Sequence, residues 1–302
     1  MNEIQKKIRE LAKEKNAVIL VHNYQKKEVQ EIADILGDSL VLSKKAAETK
    51  ADIIVFCGVT FMAETAKILS PEKKVLIPRF DAGCPMANMI TYDELKKIKE
   101  EHKNQNIKVV AYVNTNADVK SISDVCCTSS NAKAIVENID ADKIIFVPDK
   151  NLGSYCKQFT KKEMFIYDGF CYVHNQITPD KIKLSKQKHP NAIVIAHPEC
   201  PIETLNLSDK VLSTEGMINF IEKSESNEFI IATEPNIIFR LEKEIPNKKY
   251  YPTENYVNCK TMQLTELEDV YNALKNEVYE IKLDEDIINL SKKSLNEMLK
   301  YI

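Results

Sequence analysis

Three stretches decide the fold: VILVHNY at residues 18–24, VVAYVNT at 109–115 and IVIAHPE at 193–199. Each is an apolar run rich in β-branched residues that ends in polar side chains. Such runs read as strands buried on both faces, the kind found in parallel sheets. With these included, six apolar runs stand at Ala17–Val21, Ile53–Phe56, Val109–Val113, Ile144–Val147, Ala192–Ala196 and Phe229–Ala232. Between them lie helix-period patterns such as Val29, Ile32, Ala33 and Leu36, or Ala132, Ile135, Val136 and Ile139. Alternation of strand and helix predicts an α/β fold with parallel sheets between layers of helices.

Set beneath one another by strand end, the three stretches form a lattice with a period near 87 residues. His22, Tyr112 and His197 share the strand-end position, and Tyr24, Asn114 and Glu199 stand two residues later. Seventeen residues after each strand end comes a hydroxyl: Ser39, Ser129 and Thr214. Cys84, Cys171 and Cys259 follow, spaced by 87 and 88 residues. Four columns of matched chemistry point to three pseudo-repeated α/β/α units around a pseudo-threefold axis. The units are expected at residues 1–86, 87–174 and 175–263, with helices in 264–302 packing on the first. The apolar stripe of the last helix runs through Ile287, Leu290, Leu295, Met298, Leu299 and Ile302. In the first unit Ser43 competes with Ser39, and the Gly37-Asp38-Ser39 turn favours Ser39.

With 302 residues and a formal net charge of -3, the chain has no basic field for nucleic acid and no polybasic membrane patch. Its apolar runs of about five residues are far below the ~20 that cross a bilayer, and the start has no signal-peptide pattern. A cytoplasmic enzyme of small molecules is the expectation. Eight cysteines there argue for metal binding or packing rather than disulfides.

Parallel sheets bind ligands at the carboxyl ends of their strands, so three such ends turned inward enclose a site. Cys84, Cys171 and Cys259, after the last strand of each unit, are the candidate metal ligands. Three thiolates on an iron–sulfur cluster leave one iron open as a Lewis acid, and zinc is the competing metal. Cys57, Cys126, Cys127, Cys156 and Cys200, out of register, read as packing thiols. Ser39, Ser129 and Thr214, near helix starts, suit a carboxylate or phosphate. His22 and His197 suit carboxylate binding or proton transfer, and Glu199 a general base. Tyr24 and Tyr112 suit donation to an oxyanion. His174, three residues after Cys171, is either a proton-transfer residue or an ordinary loop histidine.

The segments HNYQ (22–25), GDS (37–39), FMAETAKIL (61–69), AGCP (82–85), YVNT (112–115), DVCCTSSNA (124–132), PDKNLG (148–153), HPEC (197–200) and STEGM (213–217) resemble those of the A-type quinolinate synthases. The resemblance runs from about Asn16 to Glu268. It implies a [4Fe-4S] cluster and condensation of iminosuccinate with dihydroxyacetone phosphate to quinolinate, phosphate and water, with a functional link to an iminosuccinate-producing enzyme. It implies Cys84, Cys171 and Cys259 as cluster ligands. Substrate binding falls by motif on His22, Ser39, Tyr112, Val113, Asn114, Ser129, His197, Pro198, Glu199 and Thr214, and proton transfer and ring closure on Tyr24 and His174. Thr60 stands where other members often have histidine or aspartate, and the CxxCxxC run of some members is absent. A dehydratase of another hydroxy acid, a non-catalytic iron-sulfur sensor and a zinc hydrolase are the alternatives.

Overall fold

A computed structural model describes residues 1–103 and 105–301 of the chain. After helix α1 (Glu3–Glu14), the first unit runs β1 (Ala17–His22), α2 (Lys27–Gln30), β2 (Ile35–Gly37), α3 (Ser39–Glu48), β3 (Ile53–Cys57), α4 (Thr60–Leu69) and β4 (Lys74–Leu76). The second repeats the order: α5 (Tyr92–Glu101), β5 (Ile107–Tyr112), α6 (Ala117–Ser121), β6 (Val125–Cys127), α7 (Ala132–Asn138), β7 (Lys143–Val147), α8 (Lys150–Lys157) and β8 (Glu163–Ile166). The third does so again: α9 (Pro179–Lys188), β9 (Ile193–Ala196), α10 (Ile202–Leu205), β10 (Lys210–Val211), α11 (Thr214–Lys223), β11 (Glu228–Ala232), α12 (Ile237–Glu244) and β12 (Lys249–Pro252). Helices α13 (Leu267–Asn276) and α14 (Glu285–Met298) complete the chain.

Each unit forms a four-stranded parallel sheet with the same order, β2-β1-β3-β4, β6-β5-β7-β8 and β10-β9-β11-β12. The six runs found in the sequence are the two central strands of each sheet. Alternate residues of a strand face opposite ways, and here the two faces have different partners. Leu20, Ile54, Phe56, Val110, Phe146, Ile195 and Ile231 meet in one core shared by all three units. Their neighbours form three smaller cores, with Ile19, Val21 and Val55 in the first unit, Val109 and Ile145 in the second, and Val194 and Ile230 in the third. A continuous apolar run is what such two-sided burial demands.

A further repeated device holds each first strand. Asp34, Asp124 and Asp209 accept the backbone N–H of Ile19, Val109 and Val194, each at 2.8 Å across 15 residues. The aspartates pair with Arg9, Lys108 and Lys186.

Two elements differ from the sequence expectation. The Val29–Leu36 pattern is not one helix: α2 is a single turn, and Ile35–Gly37 is the edge strand β2. Asp34 ends the turn by bonding back to Ile19, which feeds the chain into the sheet. The C-terminal helices were both expected on the first unit. Helix α13 packs on α1 and β3, whereas α14 lies chiefly against α6 and β6 of the second unit and also touches α4 of the first. The reason is polar as well as apolar: buried Ser291 donates to the Ala117 carbonyl at 2.8 Å and buried Ser294 to the Lys120 carbonyl at 2.9 Å. Ile302, counted in the stripe of that helix, lies outside the described residues.

Candidate active site

The carboxyl ends of β1, β5 and β9 turn toward a common cavity, lined at those ends by His22, Tyr112 and His197. Cys84, Cys171 and Cys259, one from each unit and all free, line it together. Burial first, and then Cys259 and Glu199 nearby, push the Cys84 thiol up to about 12. Burial likewise raises Cys171 well above the ordinary thiol range, with Glu199, Cys84 and Cys259 adding to it. Backbone N–H groups of Met86 and Ala87 point at the Cys84 sulfur, and that of His174 at Cys171. Three partly buried thiols from three loops, lining one cavity and repelling one another as thiolates, form a donor set that fits a cationic metal centre. A tighter group, Cys171, His174 and Glu199, brings one ligand atom of each within 4.8 Å.

Above the thiols stands a buried polar network. Glu199 takes the Tyr112 O–H at 2.5 Å on one oxygen and lies 2.7 Å from His174 Nδ1 on the other. Burial alone would raise this carboxyl, but His174, His197 and the Tyr112 hydrogen bond hold it below the usual carboxylate range. An ionised carboxylate only accepts, so Nδ1 carries the hydrogen. His174 Nε2 is 2.7 Å from Thr233 Oγ1, which is 2.6 Å from Tyr24 Oη. The consistent assignment for a neutral ring is Tyr24 O–H to Thr233, Thr233 O–H to Nε2, and Nδ1–H to Glu199. These atoms form an unbroken hydrogen-bonded chain from the cavity wall to a buried carboxylate, a geometry able to pass a proton. Burial raises the Tyr24 phenol well above its ordinary value, so it stays protonated until a base draws on it.

His22 and His197 are matched in geometry as well as in sequence. The Nδ1 of each accepts a backbone N–H two residues on, from Tyr24 at 3.2 Å and Glu199 at 3.4 Å. This assigns the remaining hydrogen to Nε2. Burial drives both pKa values down to about 3. Both rings are therefore neutral N–H donors at physiological pH.

The same cavity is also lined by the hydroxyl residues Ser39, Thr128, Ser129 and Thr214. Ser39 opens α3 behind the Asp38 cap, and Thr214 opens α11 behind the Ser213 cap. Ser43 lies outside the lining and donates to the Ser39 carbonyl. Asn23 donates to Thr214 Oγ1 at 3.1 Å and accepts from Arg240 at 2.9 Å, and Arg240 pairs with Glu215. Thr214 thereby keeps its own O–H free for the cavity. Asn114 Oδ1 is buried with no partner, on a residue lining the cavity.

Of the residues singled out in the sequence, Tyr24, His22, Ser39, Tyr112, Asn114, Ser129, His174, His197, Glu199, Thr214 and the three cysteines line this one cavity. Val113 is packed in the shared core, and Pro198 lines an adjoining groove that shares Asp38 and Ser129 with the cavity. Cys57, Cys126, Cys127, Cys156 and Cys200 are buried and outside the cavity. Thr233, Asp38 and Glu234 escaped the sequence reading. Asp38 was visible as the middle of the Gly-Asp-Ser turn, and burial raises its carboxyl to about 6.

Comparison with known proteins gives one consistent result. The profile of the family described as Quinolinate synthetase A protein matches residues 6–300. A quinolinate synthase of Geobacter sp. (strain M21) is 48% identical over 97% of this chain and 95% of its own. The relative from Methanoregula boonei is 47% identical over 98% of this chain and 97% of its own, and that from Clostridium acetobutylicum 48% over 98% and 97%.

Proposed function

Since this chain belongs to the quinolinate synthetase A family and is an enzyme of NAD biosynthesis, we propose that it condenses iminosuccinate with dihydroxyacetone phosphate to quinolinate, phosphate and water. The observation that carries this reading is the convergence of one thiol from each unit on a cavity that also holds the Tyr24–Thr233–His174–Glu199–Tyr112 network. Cys84, Cys171 and Cys259 would hold a [4Fe-4S] cluster. When bound, it supplies an iron open to substrate as a Lewis acid.

The chain's own residues account for the rest. Dicarboxylate and phosphate require hydrogen-bond donors, which Ser39, Ser129 and Thr214 provide together with the Nε2–H of His22 and His197. Asn114 is an orphaned acceptor suited to an imine or hydroxyl hydrogen of the substrate. Tyr24 gives up or receives a proton at Oη, with Thr233 and His174 passing it on and Glu199 stabilising the imidazolium formed. Tyr112, locked to Glu199, orients that carboxylate. Burial of the network excludes water and strengthens each of these interactions.

The three units are assigned to residues 1–86, 87–174 and 175–263. We place the protein in the cytoplasm, where free thiols persist, supplied by an enzyme that releases iminosuccinate. No helix among the described residues is long and apolar enough to cross a membrane. The test is direct: protein reconstituted with iron and sulfide without oxygen, given dihydroxyacetone phosphate and freshly generated iminosuccinate, forms quinolinate. Cluster-replete protein that forms none refutes the reading.

A further inference from the structure

Just beyond the third strand of each unit in chain order, β3, β7 and β11, stands a residue that grips the loop carrying that unit's cysteine. In the second unit, Asp149 lies two residues beyond β7, fully buried. One oxygen accepts the N–H of Leu152 at 2.7 Å at the start of α8, and the other accepts the N–H of Cys171 at 3.2 Å. In the third unit, Glu234 lies two residues beyond β11, also fully buried. It accepts Asn236 N–H at 2.8 Å and Cys259 N–H at 3.4 Å. The two carboxylates occupy the same place in the repeat and make the same pair of bonds.

The first unit has Val59 at that position, and Thr60 takes over the grip. Its N–H and its hydroxyl both donate to the Ala82 carbonyl, at 2.9 and 3.2 Å, two residues before Cys84. The second unit repeats the backbone half of this bond, with Lys150 N–H donating to the Gly169 carbonyl at 2.8 Å, two residues before Cys171. That loop runs so close that a Cβ at Gly169 would stand 2.4 Å from the Pro148 carbonyl oxygen. Only glycine fits there.

We propose that Asp149, Glu234 and Thr60 are positioning residues that fix the loops carrying Cys171, Cys259 and Cys84 for metal binding. A buried carboxylate that serves only as a helix cap has no need of a second bond to a distant cysteine loop. Here both oxygens are used, and the second bond ends on the candidate ligand itself. The inference rests on the proposed cluster.

The experiment separates the two. Wild type, Asp149→Asn, Glu234→Gln and Thr60→Val are reconstituted without oxygen, and loss of the visible cluster absorbance to an excess ferrous chelator is timed. Each amide variant keeps one acceptor oxygen in place of two, so one of the paired N–H bonds must break. Outer-sphere partners of metal ligands typically contribute 10–100-fold in affinity, and the carboxylate variants are expected to lose iron about 10–100-fold faster. Thr60→Val, which keeps its N–H bond, is expected to lose it a few-fold faster. Far-UV circular dichroism and the unfolding midpoint of the metal-free proteins separate this from damage to the fold. Folded carboxylate variants whose cluster lifetimes lie within about twofold of wild type overturn the inference, given the contribution above. If neither carboxylate variant folds, a Thr60→Val lifetime equal to wild type overturns it. Wild type that takes up no cluster overturns the cofactor reading and this inference with it.

Discussion

Replacing Thr233 by valine removes one hydroxyl and almost no volume from the centre of the proton path. Two groups lose their partner: Tyr24 Oη at 2.6 Å and His174 Nε2 at 2.7 Å. Both side chains are buried, and leaving a buried polar group unsatisfied costs about 1–3 kcal/mol. Tyr24 and His174 both border the cavity, where each can turn to water in part. The expected loss of stability is therefore near the lower end for the pair, about 2–3 kcal/mol. Catalysis suffers differently, because the path is cut while the substrate donors stay in place. Positioned proton transfer contributes about 10²–10⁴-fold, so kcat for quinolinate formation is expected to fall at least about 100-fold, with KM within a few-fold of wild type. Thr233→Ser restores the hydroxyl and is expected to recover most of the rate. A cluster-replete, folded Thr233→Val enzyme with kcat within about threefold of wild type would refute the path, since that is far below the contribution of a working proton relay.

Three other outcomes follow from the geometry. Asp124→Ala leaves the buried Val109 N–H without its 2.8 Å acceptor, and urea unfolding is expected to show a loss of about 1–3 kcal/mol. Burial holds His22 and His197 down at about 3, against about 6.5 when unfolded, so the unfolded chain binds more protons between these values and each ring makes stability rise with pH across that window. Asp38 and Glu234, raised by burial to about 6 and about 8, act in the opposite sense, so the test is a difference: His22→Gln is expected to remove about 2 kcal/mol of the stability lost between pH 7 and 5, and an unchanged pH slope counts against the neutral-donor assignment. Arg240→Met frees Asn23 from its orienting partner and blurs the Thr214 hydroxyl, so KM is expected to rise about tenfold, or ~1.4 kcal/mol, with kcat nearly unchanged in steady-state kinetics.

The sequence made the central strands and the cysteine lattice plain because both obey hard constraints. A strand covered on both faces cannot be polar, and ligands for one centre must recur in register when the units that carry them do. The edge strands β2, β6 and β10 were hidden because two or three paired residues leave no periodicity to read. The same shortness disguised Ile35–Gly37 as the end of a helix. The aspartates at 34, 124 and 209 were in plain register and went unread, since a lone aspartate between apolar segments looks like any turn. Thr233 is a different case. Its meaning comes from meeting Tyr24 across 209 residues and His174 across 59, a coincidence of three loops that no local pattern records. The hydrogen placement on His22 and His197 depends on backbone bonds and was likewise invisible in composition.

The serines of α14 carry a consequence for how the chain end tolerates change. Ser291 and Ser294 plug into two carbonyls of α6 from an otherwise greasy surface, like pins in a lock. A slip of one turn, about 5.4 Å, would set hydrocarbon against those oxygens and strand both hydroxyls. The helix therefore has a single seat. The 277–284 connector is itself tied to β4, with Ile77 N–H on the Tyr279 carbonyl and Ile281 N–H on the Val75 carbonyl, and one residue inserted between Ile288 and Ser291 throws every later tooth out of mesh.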